Sequence, residues 1–368
     1  MGIFAVFKTM GSKSRWVKLV LLAAIAAAIH FFSLQKHWVE RYYAAGIYPY
    51  ISKMLRYLFG WLPFSLGDLI YGAVIIWALA KIAIGLKKLI KRQYSLGNIK
   101  NNLYHFAITI LLIYISFNLL WGLNYSRKGL AYQLSIKKEK YETADLILLD
   151  SLLVGKLNES RTSLLRQNKK HYNTKETIEA VTNAYAKINR QYPWLLYKPQ
   201  SAKTSLWGWA GNYLGFIGYY NPFTGEAQLN TTVPKFIQPF TACHEVAHQL
   251  GYAKENEANF VAYLVASAST DTLLRYSTYF EMYLYAQSNL YFADSASAKY
   301  FSKKLIPAVK ADIRELKDFN FAHQSPFEPA TRWLYEKYLE NNQQPAGLLT
   351  YEEVVGFLIA YYKKTGNI

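Results

Sequence analysis

His244 and His248 stand four residues apart in the run His244-Glu245-Val246-Ala247-His248. On an α-helix that spacing brings both imidazoles to one face, one turn apart, as two ligands of a tetrahedral zinc require. Glu245 lies about 100° further round the helix, near enough to take a proton from a zinc-activated water and too far round to bind the ion itself. The chemistry such a pattern serves is hydrolysis of a polarised carbonyl, in which Zn2+ lowers the pKa of water towards about 7 and the glutamate is the general base. The bland alternative is a surface helix with two ordinary histidines. A chain with only 7 histidines makes that coincidence a poor explanation.

A third ligand has to come from outside this helix. Gly251 keeps the metzincin spacing, but the position that should follow with histidine holds Lys254, and an ammonium group cannot ligate. The next run, Glu255-Asn256-Glu257-Ala258-Asn259, reads as the start of a second helix. Glu255 and Glu257 are two residues apart, about 200° round that helix, so they point to nearly opposite faces and the residues alone leave both open. Cys243, beside His244, is either a further ligand or a small buried filler, a role cysteine often takes. A fourth protein ligand, Cys243 or Glu257, would close the site and make it structural rather than catalytic, as in a membrane scaffold or envelope-binding protein.

The elements that must position these groups are mainly helical. The metal-bearing helix covers about 240–250 and stops at Gly251. Apolar residues recur at helical spacing over 143–168 and 174–190, with Asn173 and Glu176 forming a capping box before the second. Thr350 and Glu353 form a similar box ahead of Val354, Val355, Phe357, Leu358 and Ile359. Between these blocks, 213–231 reads as a β-hairpin: an aromatic strand over 213–220, turn residues over 221–225 and an alternating strand over 226–230.

Ahead of all this lie three stretches long and apolar enough to cross a bilayer, which takes about 20 residues: 17–34, 66–86 and 106–123. Lys8, Lys13 and Arg15 precede the first and Lys18 stands at its start, and Lys87, Lys88, Lys91, Arg92 and Lys100 crowd the connection between the second and third. By the positive-inside bias both belong in the cytoplasm, which puts everything after the third span outside the cytoplasmic (inner) membrane. Residues 1–125 are thus expected to form a multi-pass membrane domain and 126–368 a soluble one. The net charge of +18 comes from basic residues spread along the chain and flanking the spans. With no nucleic-acid-binding module beside them, they suit a lipid bilayer as partner and not a nucleic acid.

The segment Glu255 to Asn259 resembles the Glu-x-x-Ala-Asp segment of membrane-embedded gluzincin peptidases. That resemblance implies Glu255 as third zinc ligand and Asn259 as the group orienting a ligand histidine, with Asn where those families carry Asp. Over nearly its full length the chain also resembles the family called domain of unknown function 3810. The shared features are three spans, the turn Pro63-Phe64-Ser65-Leu66-Gly67-Asp68, the run Asn221-Pro222-Phe223-Thr224-Gly225-Glu226 and a closing helix over 354–362. These are bacterial membrane proteins, chiefly from Bacteroidota, grouped with the zincin peptidases. The resemblance implies an α+β zincin-like domain with a small hairpin, on which Gly225, Glu226, Ala227 and Gln228 would be the edge strand that pairs with an extended peptide.

The sequence thus leads to a membrane-anchored zinc metallopeptidase acting on peptides or proteins at the cell envelope. For the group that stabilises an oxyanion it offers only His323 and one of 32 tyrosines. It leaves the oligomeric state open.

Overall fold

The computed structural model describes residues 12–91, 93, 95–137 and 139–368. Lys8 and Arg92, two of the charges used above for topology, lie outside the described residues. The chain is a mainly α protein with one small sheet and three helices apolar and long enough to span a membrane, Ser14–Ser33, Leu66–Ile90 and Leu96–Leu120. It is a membrane protein.

The third span starts earlier than its apolar stretch, because Ser95 caps it by accepting from the Asn98 amide at 3.2 Å. Its polar first turns, with Lys100 and Asn101, extend the helix beyond the hydrocarbon. The start of the second span and the ends of the first and third all lead into the rest of the protein. The start of the first span therefore shares the opposite end with the end of the second and the start of the third.

The connection from the first to the second span is helical rather than only a turn. Tyr48–Phe59, with Pro49 in its first turn, carries Tyr48, Ser52 and Arg56 at four-residue spacing, hence on one face. All three are buried against the carboxyl end of the helix that carries His244 and His248. The turn that follows ends in Ser65, whose hydroxyl caps the second span at the Asp68 amide.

Helices Thr143–Arg166 and Thr174–Ile188 form as their periodicity predicts, and Asn173 and Glu176 make the reciprocal capping bonds. Thr350 and Glu353 do not. Thr350 falls in a 3-10 turn, Gly347–Tyr351, with its hydroxyl buried and unbonded, while Glu353 accepts from Asn256 Nδ2 at 2.5 Å. A tertiary partner has taken the carboxylate that the box needed.

The hairpin forms, but its first strand starts later and a third strand joins it. Residues Gly208–Leu214 are a helix, ended by Gly215 at φ +83°, so the strand that was to begin at 213 begins only at Gly218. Strand β2, Gly218–Asn221, pairs antiparallel with β3, Glu226–Leu229, with Tyr219 opposite Gln228. A third strand, β1 (Ala202–Thr204), lies parallel to β3 on its other side. The order β1-β3-β2 leaves β3 central. Gly225, Glu226, Ala227 and Gln228 are therefore not an edge: the main chain of β3 is bonded on both sides, and β1 and β2 are the edge strands. β1 escaped notice because three residues with a buried lysine in the middle carry no alternating pattern.

The core gathers around two consecutive helices, Gln238–Gln249 and Glu255–Ser267. Every residue of the first, and of the second as far as Ala266, is buried. The link between them turns at Gly251, φ +89°, packed so closely on Tyr48 that a Cβ would sit 2.7 Å from its ring.

Candidate metal centre

Three side chains converge where these two helices meet. One ligand atom each from His244, His248 and Glu255 lies within 4.8 Å of the others, the sole such His/Cys/Asp/Glu cluster among the described residues. Glu255 Oε2 is 3.1 Å from His244 Nε2 and 3.4 Å from His248 Nε2, and the two rings stand perpendicular with centroids 4.6 Å apart. Although so near, Glu255 Oε2 accepts no hydrogen bond of normal geometry.

The far side of each ring explains why. His244 Nδ1 is 2.7 Å from Asn259 Oδ1, and His248 Nδ1 is 2.7 Å from the Tyr252 carbonyl. Both partners are acceptors, so in the neutral rings the Nδ1 positions carry the protons and the Nε2 lone pairs point inward. Asn259 also donates from Nδ2 to the Tyr351 carbonyl at 3.4 Å. Asn thus satisfies an imidazole with one end and a carbonyl with the other. A carboxylate here would repel that carbonyl, which is a physical reason for Asn at this position.

Glu257 points away, towards the loop at Gly129, where a Cβ would fall 2.1 Å from its Oε1, and it adds to the field on Arg127. Cys243 faces the core, fully buried, with burial pushing its thiol up. Neither belongs to the cluster. His323 is not brought to it either: its Nδ1 meets the Phe319 carbonyl at 2.8 Å and its ring packs on Phe319 and Tyr213.

Electrostatically the site is dry and strongly coupled, with His244, Glu245, His248 and Glu255 all 7% exposed or less. Burial opposes ionisation of Glu255, but the two imidazoles outweigh it and hold the carboxyl well below its usual range. Burial likewise opposes a charge on His248, yet Glu255 raises it to about 9. In this form the cluster shares a proton that a divalent cation would replace. Glu245 lies beside it, pushed up to about 7 chiefly by burial, with Oε2 bonded to nothing.

Residues with no sequence signal complete the site. The carboxyl end of helix Gln238–Gln249 is held by the membrane part: Trp121 Nε1 donates to the His248 carbonyl at 3.1 Å, Tyr48 to the Gln249 carbonyl at 2.9 Å and Ser52 to the same carbonyl at 2.5 Å. On the open side, Tyr335 of helix Glu328–Asn341 donates to Glu255 Oε1 at 2.9 Å, and its hydroxyl is 3.1 Å from that of Tyr351, whose ring lies nearly parallel to His244. Gly218 on β2 faces Glu245. None could be singled out among so many tyrosines. Only the four-residue spacing of Tyr48, Ser52 and Arg56, polar groups on one face of a short helix, was a usable hint.

A family model described as "Protein of unknown function (DUF3810)" matches residues 43–359, taking in the second and third spans and the whole cluster. No curated protein and no solved structure matches the chain.

Proposed function

We propose that this chain, which belongs to the DUF3810 family, is a membrane-anchored zinc-dependent peptidase acting at the cell envelope. The observation that carries the reading is the convergence of three buried lone-pair donors on one point, with an unbonded carboxylate beside them. Two imidazoles and one carboxylate suit zinc, and a set of three leaves a coordination position open, unlike the four protein ligands of a structural site. A zinc ion held by His244, His248 and Glu255 would supply Lewis acidity towards a scissile carbonyl and towards water.

The rest falls to the chain. Glu245, raised towards neutrality by burial, is tuned to accept a proton from attacking water and return it to the leaving amine. Asn259 and the Tyr252 carbonyl keep both imidazoles in the tautomer that faces the cluster. The free edge of β2 offers main-chain groups to an extended peptide, and Gly218 lets that strand lie directly on Glu245. Tyr335 and Tyr351 bring hydroxyls to the same side and are the candidates to stabilise the oxyanion. By the charge bias of its connections, the N-terminus is cytoplasmic and the metal domain extracytoplasmic.

The test is metal analysis of the purified full-length protein together with turnover of casein or a peptide library. Stoichiometric zinc, with turnover abolished in Glu245→Gln, is the expected result. Protein that folds intact yet takes up no divalent metal overturns the proposal.

A further inference from the structure

The three spans do not form a bundle. The first and third pack on each other, with Arg15 Nη1 donating to Asn101 Oδ1 at 3.1 Å near one end, whereas the second has no comparable packing with either. Beyond Gly72 its large side chains, Val74, Ile76, Trp77 and Leu79 among them, are exposed on all faces. Only its domain-side end is fixed, where the Leu66 and Gly67 amides donate to Glu226 and Asp68 accepts from the Leu206 amide at 2.7 Å.

Aromatic side chains connect the spans with the candidate metal centre. Tyr338 has its ring against Phe117 of the third span and its hydroxyl 3.0 Å from that of Tyr125. The phenol of Tyr71, on the second span, is near enough to help raise the pKa of both Tyr219 on β2 and Tyr338. Tyr338 stacks on Tyr335, which donates to Glu255. A line of aromatic rings thus runs from the bilayer to a metal-ligand candidate.

The helices beside the start of the second span carry exposed apolar side chains. Trp207 pins Gly208–Leu214 to the second span: a Cβ at Gly72 would be 2.9 Å from its ring, and its Nε1 donates to the Asp68 carbonyl at 3.1 Å. That leaves Trp209 62% exposed, while Trp333 and Leu334 on the neighbouring helix Glu328–Asn341 are 57% and 60% exposed. Thr331 Oγ1 joins the two helices by donating to the Leu214 carbonyl at 3.3 Å. Exposed tryptophans continuous with the end of a membrane span suit the headgroup region better than water.

We propose that the candidate metal centre is reached sideways, between the second span and the first–third pair, from the leaflet on the domain's side, by a polypeptide already held in the membrane. The substrate class rests on the peptidase reading, whereas the lateral access does not.

The experiment uses the full-length protein in phosphatidylcholine vesicles containing a lipid with a nitroxide near its headgroup. A fluorophore is placed by Trp209→Cys, Trp333→Cys or, as a remote control, Tyr300→Cys. Fully buried Cys243 keeps the background low, and labelling above one dye per chain reveals a variant that has unfolded. Quenching several-fold stronger at 209 and 333 than at 300 is expected. Equal quenching at all three overturns the proposal, as does quenching that vanishes when protein is crowded in the vesicle, which would mean that a second copy covers these side chains. Vesicles with zinc are then given one peptide with and without an N-terminal palmitoyl chain. Turnover roughly tenfold faster for the acylated form is expected from its membrane partitioning, and equal rates overturn membrane delivery. No turnover of either, beside intact quenching, counts against the peptidase reading and leaves the lateral access standing.

Discussion

Gly218 approaches Glu245 so closely that a methyl group added to it would fall 2.6 Å from Oε1 and 2.9 Å from Thr241 Cγ2. An alanine there must push the carboxylate or the strand aside while touching none of the three metal-ligand candidates. Gly218→Ala is expected to retain bound zinc and lower kcat/KM by about tenfold or more, since sub-ångström displacement of a general base is costly. Steady-state kinetics beside metal analysis on the same sample checks it. Lost metal would mean that the glycine serves folding instead.

Glu255 and Glu257 separate cleanly in a binding assay. Glu255→Gln removes a ligand and should leave the folded protein without stoichiometric metal, whereas Glu257→Gln should keep it. Asn259→Ala, which frees His244 Nδ1, is expected to weaken metal affinity roughly 10- to 100-fold without abolishing it. Competition against a chromogenic chelator measures all three. If Glu257→Gln empties the site while Glu255→Gln fills normally, the ligand assignment is reversed.

The fold and the candidate site were legible to different depths, for physical reasons. The spans and the two-histidine helix show because each is a local pattern of composition or spacing. The choice of Glu255 over Glu257 depends on how two helices cross, and the turn at Gly251 that sets the crossing is visible only as a helix stop. The hairpin shows as two short strands about a turn, but the order of the sheet is non-local: β3 looks like an edge until Ala202–Thr204 arrives on its other side. Glu226, read as a substrate-strand residue, is a buried anchor for a membrane helix, and no periodicity announces a partner 160 residues away.

Asp150 gives a pH dependence unconnected with the metal. It is fully buried on helix Thr143–Arg166 with both carboxylate oxygens unbonded, and burial lifts it to about 7. Because the folded value lies above the unfolded one, the carboxyl is protonated in both states below about pH 4. The folded state loses stability as pH rises from there to about 7, beyond which the penalty is constant. Asp150→Asn removes the charge, so it should raise the melting temperature by several degrees at pH 8, with the gain shrinking towards zero near pH 4. Thermal denaturation across that range decides it. A gain independent of pH would show that Asp150 is not charged inside the fold.

Glu226 and Lys203 form a fully buried ion pair at 2.6 Å, and each is further tied to the turn that starts the second span. Lys203 donates to the Phe59 and Phe64 carbonyls, and Glu226 accepts from the Leu66 and Gly67 amides at the positive end of the span's helix dipole. Removing either charge strands the other in a dry interior, so Glu226→Met alone should cost about 3–5 kcal/mol. Removing both leaves no buried charge. The double variant Glu226→Met, Lys203→Met is therefore expected to be more stable than either single one, although it loses the bonds that orient the span. Chemical denaturation of the four proteins gives the coupling directly, and a double variant weaker than the sum of the singles would refute the pairing.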